Sequence, residues 1–251
     1  MRDRIDVLGI PVVALAWPAL QAEVLSRLAR AVPTTVMYAN VHVVNTAQHD
    51  AALADALRAA DLVYCDGEGV RIGARILGAA LPPRMTGADF LDELFAHLAV
   101  AGARVAWIGG APDVAAGALA LLAARHPGVV IAYAHDGYFA KDGPATDDVL
   151  AALAAANADL VFVGMGTPLQ ETWVARHRAR IAVPVVWCIG AAADFVTGVQ
   201  RRGPAALTNH RLEWLARLAS DPRRLFGRYV IGNPLFLARV VRARLRGRRD
   251  S

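Results

Sequence analysis

The 251-residue chain has only two cysteines, Cys65 and Cys188, and a single lysine, Lys141. Each cysteine ends an apolar run, so a disulfide framework is excluded and both read as buried free thiols in a reducing compartment. Although 56% of the residues are apolar, no run of 18 is uninterrupted, which excludes a membrane-spanning helix. Met1-Arg2-Asp3-Arg4 ahead of Ile5 to Leu20 imitates a signal peptide, but Asp3, Asp6, Pro11 and Pro18 interrupt it. Ile5 to Ile10 reads instead as a first strand. There is no Asp-x-Asp pair to hold a metal–diphosphate complex, and neither His42 nor His49 belongs to a metal-ligand set. No metal and no cofactor are therefore expected. Gly9 stands alone after the first strand, where a dinucleotide-dependent oxidoreductase needs Gly-x-Gly-x-x-Gly. A nucleic-acid binder is disfavoured as well, because no regular aromatic spacing runs through the basic tail.

What is present is an alternation of short β-branched strands and amphipathic helices. Strands are expected at Thr35–Tyr38, Leu62–Cys65, Arg104–Ile108, Val129–Tyr133, 159–163 and Val183–Ile189. Helices are expected at Val43–Arg58, Gly69–Leu77, Ala88–Val100, up to Arg125, over Asp147–Ala156 and up to Arg180. This pattern predicts an α/β fold: a mostly parallel, Rossmann-like sheet with helices on both faces. After Gly203-Pro204 the pattern turns purely helical. The domain reading is an α/β catalytic domain over 1–200 and an arginine-rich helical C-terminal appendage over 201–251.

The charge divides at the same place. Residues 1–200 carry 14 basic and 19 acidic side chains, a net −5. Residues 201–251 carry 13 arginines against Glu213, Asp221 and Asp250, a net +10. Guanidinium forks suit phosphate, so the clustering points to an anionic partner. Within the tail, Asn233 is placed to cap a helix with Pro234 at its first position. Leu235, Phe236, Val240 and Val241 would share one face, and Arg239, Arg242, Arg246 and Arg249 the other. Such a helix fits a membrane surface in preference to ordinary packing on the protein's own core.

Four loops follow strand ends, where ligands of open α/β sheets collect. They are Tyr38-Ala39-Asn40-Val41-His42, Asp66-Gly67-Glu68-Gly69, Gly109-Gly110-Ala111-Pro112, and Gly164-Met165-Gly166-Thr167-Pro168-Leu169-Gln170-Glu171. Glycines 109, 110, 164 and 166 let backbone approach a ligand, and the helix start after Pro168 attracts an anion such as a diphosphate. Gln170 and Glu171 offer directional hydrogen bonds to a sugar or base. Asp66 is either the N-cap of the next helix or a general base at the cleft mouth. Asn40 could serve as a turn residue, and His42 reads as a half-buried helix-start residue.

In this order the loops resemble those of the WecG/TagA/CpsF family of bacterial glycosyltransferases. The resemblance rests on Asn40, Asp61-Leu62 leading to Asp66-Gly67, and Pro82-x-Arg84-x-x-Gly87-x-Asp89. Gly109-Gly110-x-Pro112, Gly137-Tyr138-Phe139 and Gly164-x-Gly166-x-Pro168-x-Gln170-Glu171-x-Trp173 follow, then Gly190 to Asp194 and Gly198. Arg202, Pro204, Leu212-Glu213-Trp214-Leu215-x-Arg217, Pro222-x-Arg224 and Arg228-Tyr229 close the set. The resemblance implies an inverting, metal-independent transfer of a sugar from a UDP-sugar donor to a polyprenyl-diphosphate-linked saccharide, in cell-surface polysaccharide synthesis. It implies a cytoplasmic enzyme held peripherally at the inner membrane face, and it leaves room for a homo-oligomer. It places the base on Asp66, with Asn40 beside the reacting sugars. Gln170, Glu171 and, more loosely, Asp194 go to the nucleotide-sugar pocket, and Arg217, Arg224 and Arg228 to the diphosphate. One departure is Tyr38, where the family commonly has threonine: a phenol there is expected to reshape the sugar pocket.

Overall fold

The segment Ile5–Ile10, expected as one strand, folds back on itself. In the computed structural model of the protein, which describes residues 4–200, 218 and 222–247, Leu8 (φ 55°) and Gly9 (φ 86°) both take positive φ. That is the requirement of a two-residue hairpin turn. Asp6 Oδ1 accepts the Gly9 N–H at 2.9 Å and holds the turn. β1 (Arg4–Val7) and β2 (Ile10–Val13) therefore form an antiparallel pair of their own.

The main sheet begins at β3 (Thr34–Ala39) and continues with β4 (Leu62–Cys65), β5 (Arg104–Gly109), β6 (Val130–His135), β7 (Leu160–Gly164) and β8 (Val185–Cys188). All are parallel, in the order β4-β3-β8-β7-β5-β6. β3, β4, β7 and β8 are buried at every position. Such continuous burial requires helices over both faces, and explains why these strands read as unbroken apolar runs. The helices are α1 (Trp17–Ala29), α2 (Val41–Ala47), α3 (Ala51–Ala59), α4 (Glu68–Leu77), α5 (Gly87–Val100), α6 (Val114–Arg125), α7 (Pro144–Ala155), α8 (Leu169–His177) and α9 (Ala192–Val196). The helix expected over Val43–Arg58 is thus two, α2 and α3. Asp50 starts the second by accepting the Leu53 N–H at 3.0 Å, a cap that competes with helix continuation. Trp187 lies at the centre of the core, 5.3 Å from the Phe90 ring and 6.0 Å from Phe162, with Tyr64 edge-on at 6.1 Å.

The last described helix is built in three pieces: α10 (Pro222–Phe226), a π-helical turn (Gly227–Ile231) and α11 (Gly232–Gly247). Asn233 therefore does not cap a new helix. Pro234 has no N–H to return to the preceding turn, and the widened π turn lies immediately before it. α11 seats on α4 and α2. Phe236 and Val240 are fully buried. A Cβ at Gly73 of α4 would stand 2.6 Å from Phe236 Cζ, so this mid-helix glycine is what admits the ring. Asn45 Nδ2 donates to Gly232 O at 2.7 Å, Arg239 Nη1 to Asn45 Oδ1 at 2.7 Å, and Arg244 Nη1 to Leu77 O at 3.1 Å. The expected division of faces is therefore corrected. Phe236, Val240 and Arg239 turn inward, while Leu237, Val241 and Leu245 lie outside with Arg242 and Arg246; Arg249 lies outside the described residues. Among the described residues no helix is long and apolar enough to cross a membrane.

Phe236→Ala empties this seat and is expected to cost about 3–5 kcal/mol in denaturant unfolding, as for other buried phenylalanines.

Candidate active site

The carboxyl ends of β5, β7 and β8 approach more closely than side chains allow. A Cβ on Gly109 would lie 2.3 Å from Gly164 O, and one on Gly164 would lie 2.5 Å from Gly190 O. Gly110 donates its N–H to Gly164 O at 3.0 Å, and Gly137 donates to Gly110 O at 2.9 Å. β5 connects outward to β6 while β7 connects the other way to β8, so the glycine loops 109–110 and 164–166 flank a topological switch point. Gly166 (φ 79°) has open space around it, and conformation is what its position demands. The following turn consumes one amide of the α8 start, since the Gln170 N–H closes on Gly166 O at 2.9 Å.

Asn40 and Asp66 follow the paired strands β3 and β4, where Tyr38 lies opposite Tyr64 in register. Side-chain alternation puts Asn40 one pleat above Tyr38 and Asp66 one pleat above Tyr64. The two polar side chains meet, with Asn40 Nδ2 donating to Asp66 Oδ2 at 3.3 Å. Asn40 Oδ1 accepts the Val43 N–H at 3.0 Å, so Asn40 caps α2 and is held by its own helix. Asp66 is not the cap of α4, because that position belongs to Gly67 (φ 129°), which makes no side-chain cap bond. Of the two readings of Asp66 from the sequence, the capping one is removed. Glu68 and Arg71, paired at 2.7 Å and mostly buried, fix the first turn of α4 beside it. Cys65, just before Asp66, is a buried free thiol, as is Cys188. Burial, then the Asp66 carboxylate, pushes the Cys65 thiol up to about 12.

Gln170 and Glu171 are turned inward and are fully buried. Gln170 Oε1 accepts the Gly190 N–H at 3.1 Å, which orients its amide. Its Nε2 then donates to Tyr38 Oη at 3.2 Å and to Glu171 Oε1 at 2.7 Å. Thr167 Oγ1 donates to Glu171 Oε1 at 2.9 Å and lies 3.4 Å from Tyr38 Oη. These bonds form a closed ring through Tyr38, Thr167, Glu171 and Gln170. Desolvation raises the Glu171 carboxyl above its ordinary range, and its Oε2 is buried without a hydrogen-bond partner among the described residues. Desolvation also holds the Tyr38 phenol well above its usual value, with Glu171 and Asp66 adding to it, so it stays a hydroxyl. Trp173 is likewise internal, with Nε1 3.4 Å from Thr146 Oγ1. The three residues that set this motif apart from a plain glycine turn thus each have a place in the interior.

Arg228, on the π turn, faces the same end of the sheet. Its charge acts on both Tyr38 and His42. Burial, and then this guanidinium, depress the His42 imidazole to about 4. Asp194 sits half-buried in α9, after the β8 end, where its carbonyl accepts the Gln200 N–H at 2.9 Å. Arg217 lies outside the described residues. Arg224 is placed by its backbone in α10, and its side chain also lies outside them. The structure thus joins Tyr38, Asn40, Asp66 and Arg228 at one end of the sheet, and ties Gln170 and Glu171 beneath them. Sequence reasoning gave no role to Thr167 or to the Asn45–Arg239 seat. Thr167 stood inside a recognised motif, but nothing local marked Asn45, whose partner is 194 positions away. Among the described residues, no three His, Cys, Asp or Glu side chains converge as a metal cluster would require.

A parallel sheet with polar side chains gathered at its carboxyl edge belongs to the open α/β class, which takes ligands at that edge. The family model of the glycosyl transferase WecG/TagA/CpsF family matches residues 5–250, and the chain belongs to this family. It is 27% identical over 209 residues to the N-acetylglucosaminyldiphosphoundecaprenol N-acetyl-beta-D-mannosaminyltransferase of Staphylococcus aureus strain MW2, covering 83% of this chain and 80% of that protein. The same identity and coverage hold for the proteins of that name in strains NCTC 8325 and COL.

The depressed His42 carries a sign. Between pH 6.5 and about 4 the unfolded chain binds a proton that the native state does not, so this group's contribution to stability is present above pH 6.5 and lost on acidification. Allowing for screening at a half-exposed ring, the loss is about 1–2 kcal/mol. His42→Gln is expected to flatten that part of the profile in urea unfolding at pH 7 and 4.5.

Proposed function

We propose that this member of the family is an inverting glycosyltransferase that moves a hexose- or N-acetylhexosamine-type sugar from a UDP-sugar to a polyprenyl-diphosphate-linked saccharide. The observation that carries the reading is the meeting of Asn40 and Asp66 across adjacent strand ends, with Arg228 brought to the same end. The name of the Staphylococcus relatives joins an N-acetylglucosaminyl-diphosphoundecaprenol acceptor to N-acetylmannosaminyl transfer, and supports a lipid-diphosphate acceptor here.

Asp66, oriented by the Asn40 amide, takes the proton of the acceptor hydroxyl as that oxygen attacks the anomeric carbon. The bond from that carbon to the UDP oxygen breaks with its electron pair going to UDP, and the configuration inverts. Arg228, with Arg217 and Arg224, supplies positive charge to diphosphate in the bidentate manner of guanidinium. The loops at Gly109-Gly110 and Gly164–Gly166 flank the crevice offered to the nucleotide, with Asp194 at its far side; the Gly110 N–H is already given to Gly164 O. Positive charge already in place stabilises charge that develops on the leaving group without reorganising.

The outer face of α11 suits the surface on which such an acceptor resides. Leu237, Val241 and Leu245 are exposed between Arg242 and Arg246, and residues 201–217 and the C-terminus add further arginines in sequence. Each basic residue near an anionic bilayer contributes roughly 1 kcal/mol, and the apolar stripe adds burial in the interface.

Asp66→Asn is expected to lower turnover about 10²–10⁴-fold with unchanged folding, measured as UDP release and product mass with a UDP-sugar panel and a short-chain acceptor. Turnover near the native value would remove the base from Asp66. Replacing Leu237, Val241 and Leu245 by serine is expected to abolish co-sedimentation with anionic vesicles while sparing transfer to the short-chain acceptor. Undiminished sedimentation would place the contact elsewhere.

A further inference from the structure

The phenol of Tyr38 occupies a position that no polar requirement of a parallel strand explains. It is one pleat below Asn40, its ring is 6.2 Å from that of Tyr64, and its hydroxyl reaches across β8 to the loop after β7. Two features admit it. Gly190 has no side chain, and a Cβ there would stand 2.8 Å from Tyr38 Oη. Gln170 is held by the Gly190 N–H in the orientation that presents its amide to the phenol. Donors and acceptors around the ring agree in direction. Gln170 gives one N–H to Tyr38 and the other to Glu171, Tyr38 gives its proton to Thr167, and Thr167 gives its own to Glu171. The side chain is only 8% exposed, and the charges of Asp66 and Arg228 both act on the phenol.

We infer that Tyr38 determines donor specificity. Locked by Gln170, Thr167 and the absence of a side chain at Gly190, its ring closes the floor under Asn40 and Asp66 and sets the depth left for the donor sugar. Gln170 and Glu171 act through it as positioning residues. The Gln170 amide and Glu171 Oε1 are spent on the ring and on Gly190, and what they supply to the site is the fixed height of the phenol. A threonine at position 38 would be too short to reach Gln170 Nε2, and would leave room below the Asn40–Asp66 pair. The room gained exceeds a methylene, and pocket discrimination of a single methylene is already worth about 10–200-fold in kcat/KM. Donors with a bulky 2-acetamido substituent should then gain on plain hexoses. The inference rests on the transferase reading above.

The test compares the native protein, Tyr38→Phe and Tyr38→Thr with paired UDP-hexose and UDP-N-acetylhexosamine donors and one short-chain acceptor, recording kcat, KM and thermal midpoint. Tyr38→Phe keeps the ring but opens the hydrogen-bond cycle. It is expected to lower the midpoint by several degrees and kcat/KM by less than tenfold, with the order of donors unchanged. Tyr38→Thr is expected to raise the N-acetylhexosamine-to-hexose ratio of kcat/KM at least tenfold, mainly through KM. A folded Tyr38→Thr protein whose donor ratio stays within twofold of native overturns the inference and leaves the transferase reading standing. If Tyr38→Thr does not fold, a Tyr38→Phe protein that reorders the donors overturns it in the same way. Failure of the native protein to turn over any donor overturns the transferase reading, and the inference with it.

Discussion

Three parallel strands end with their backbones closer than a methyl group permits. The contact of Gly109 with Gly164, and of Gly164 with Gly190, sets the geometry at the carboxyl edge of the sheet. It draws the β5, β7 and β8 loops into one crevice at the switch point. The same glycine at 190 vacates the volume that the Tyr38 hydroxyl enters, and its N–H orients Gln170. A side chain at any of the three would separate the strand ends and open the buried hydrogen-bond ring together. Interiors packed to crystal-like density do not absorb such an insertion locally.

A second constraint acts from the C-terminal side. α11 lies on α2 and α4, the helices that follow Asn40 and Asp66, and its seat depends on Gly73 and on the Asn45–Arg239 and Arg244–Leu77 contacts. The π turn leading into it carries Arg228. Helix packing on α2 and α4 therefore decides where Arg228 stands, and it leaves the opposite face of α11, with Leu237, Val241 and Leu245, outside the core. One short helix thus serves two surfaces. This is why a single amphipathic division of its sequence into apolar and basic faces did not describe it.

The legibility of this chain varies with the range of the interactions. Six strands of the parallel sheet were readable, because each is a short apolar run; in β3, β4, β7 and β8 burial on both faces is written into consecutive residues, while the edge strand β6 is exposed or half-buried throughout. The hairpin at Leu8-Gly9 was not, because a leucine at positive φ is a poor local signal and the Asp6 bond that holds the turn is a matter of geometry. The break at Asp50 was hidden for a related reason: an aspartate within a helical pattern reads equally as a surface residue or as a cap. At the carboxyl edge of the sheet, Asn40, Asp66 and the glycines were singled out from strand-end loops, and the structure brings Asn40 and Asp66 together. The inward orientation of Gln170 and Glu171 was not, since a polar pair after a glycine turn reads as ligand-facing until its internal partners are seen.

By itself the sequence determined the α/β class, the approximate order of the elements, the concentration of positive charge in the last fifty residues and the family to which the chain belongs. Each of these follows from local pattern or from motifs whose spacing is covalent. Tertiary structure alone decided that Asn40 meets Asp66, that Tyr38 engages Gln170 and Thr167 across more than a hundred positions, and that Phe236 and Val240 of α11 are buried while Leu235 and Val241 are not. These depend on strand order and on the volume left by glycines elsewhere in the chain. Packing complementarity between distant segments exists only once they have been brought together.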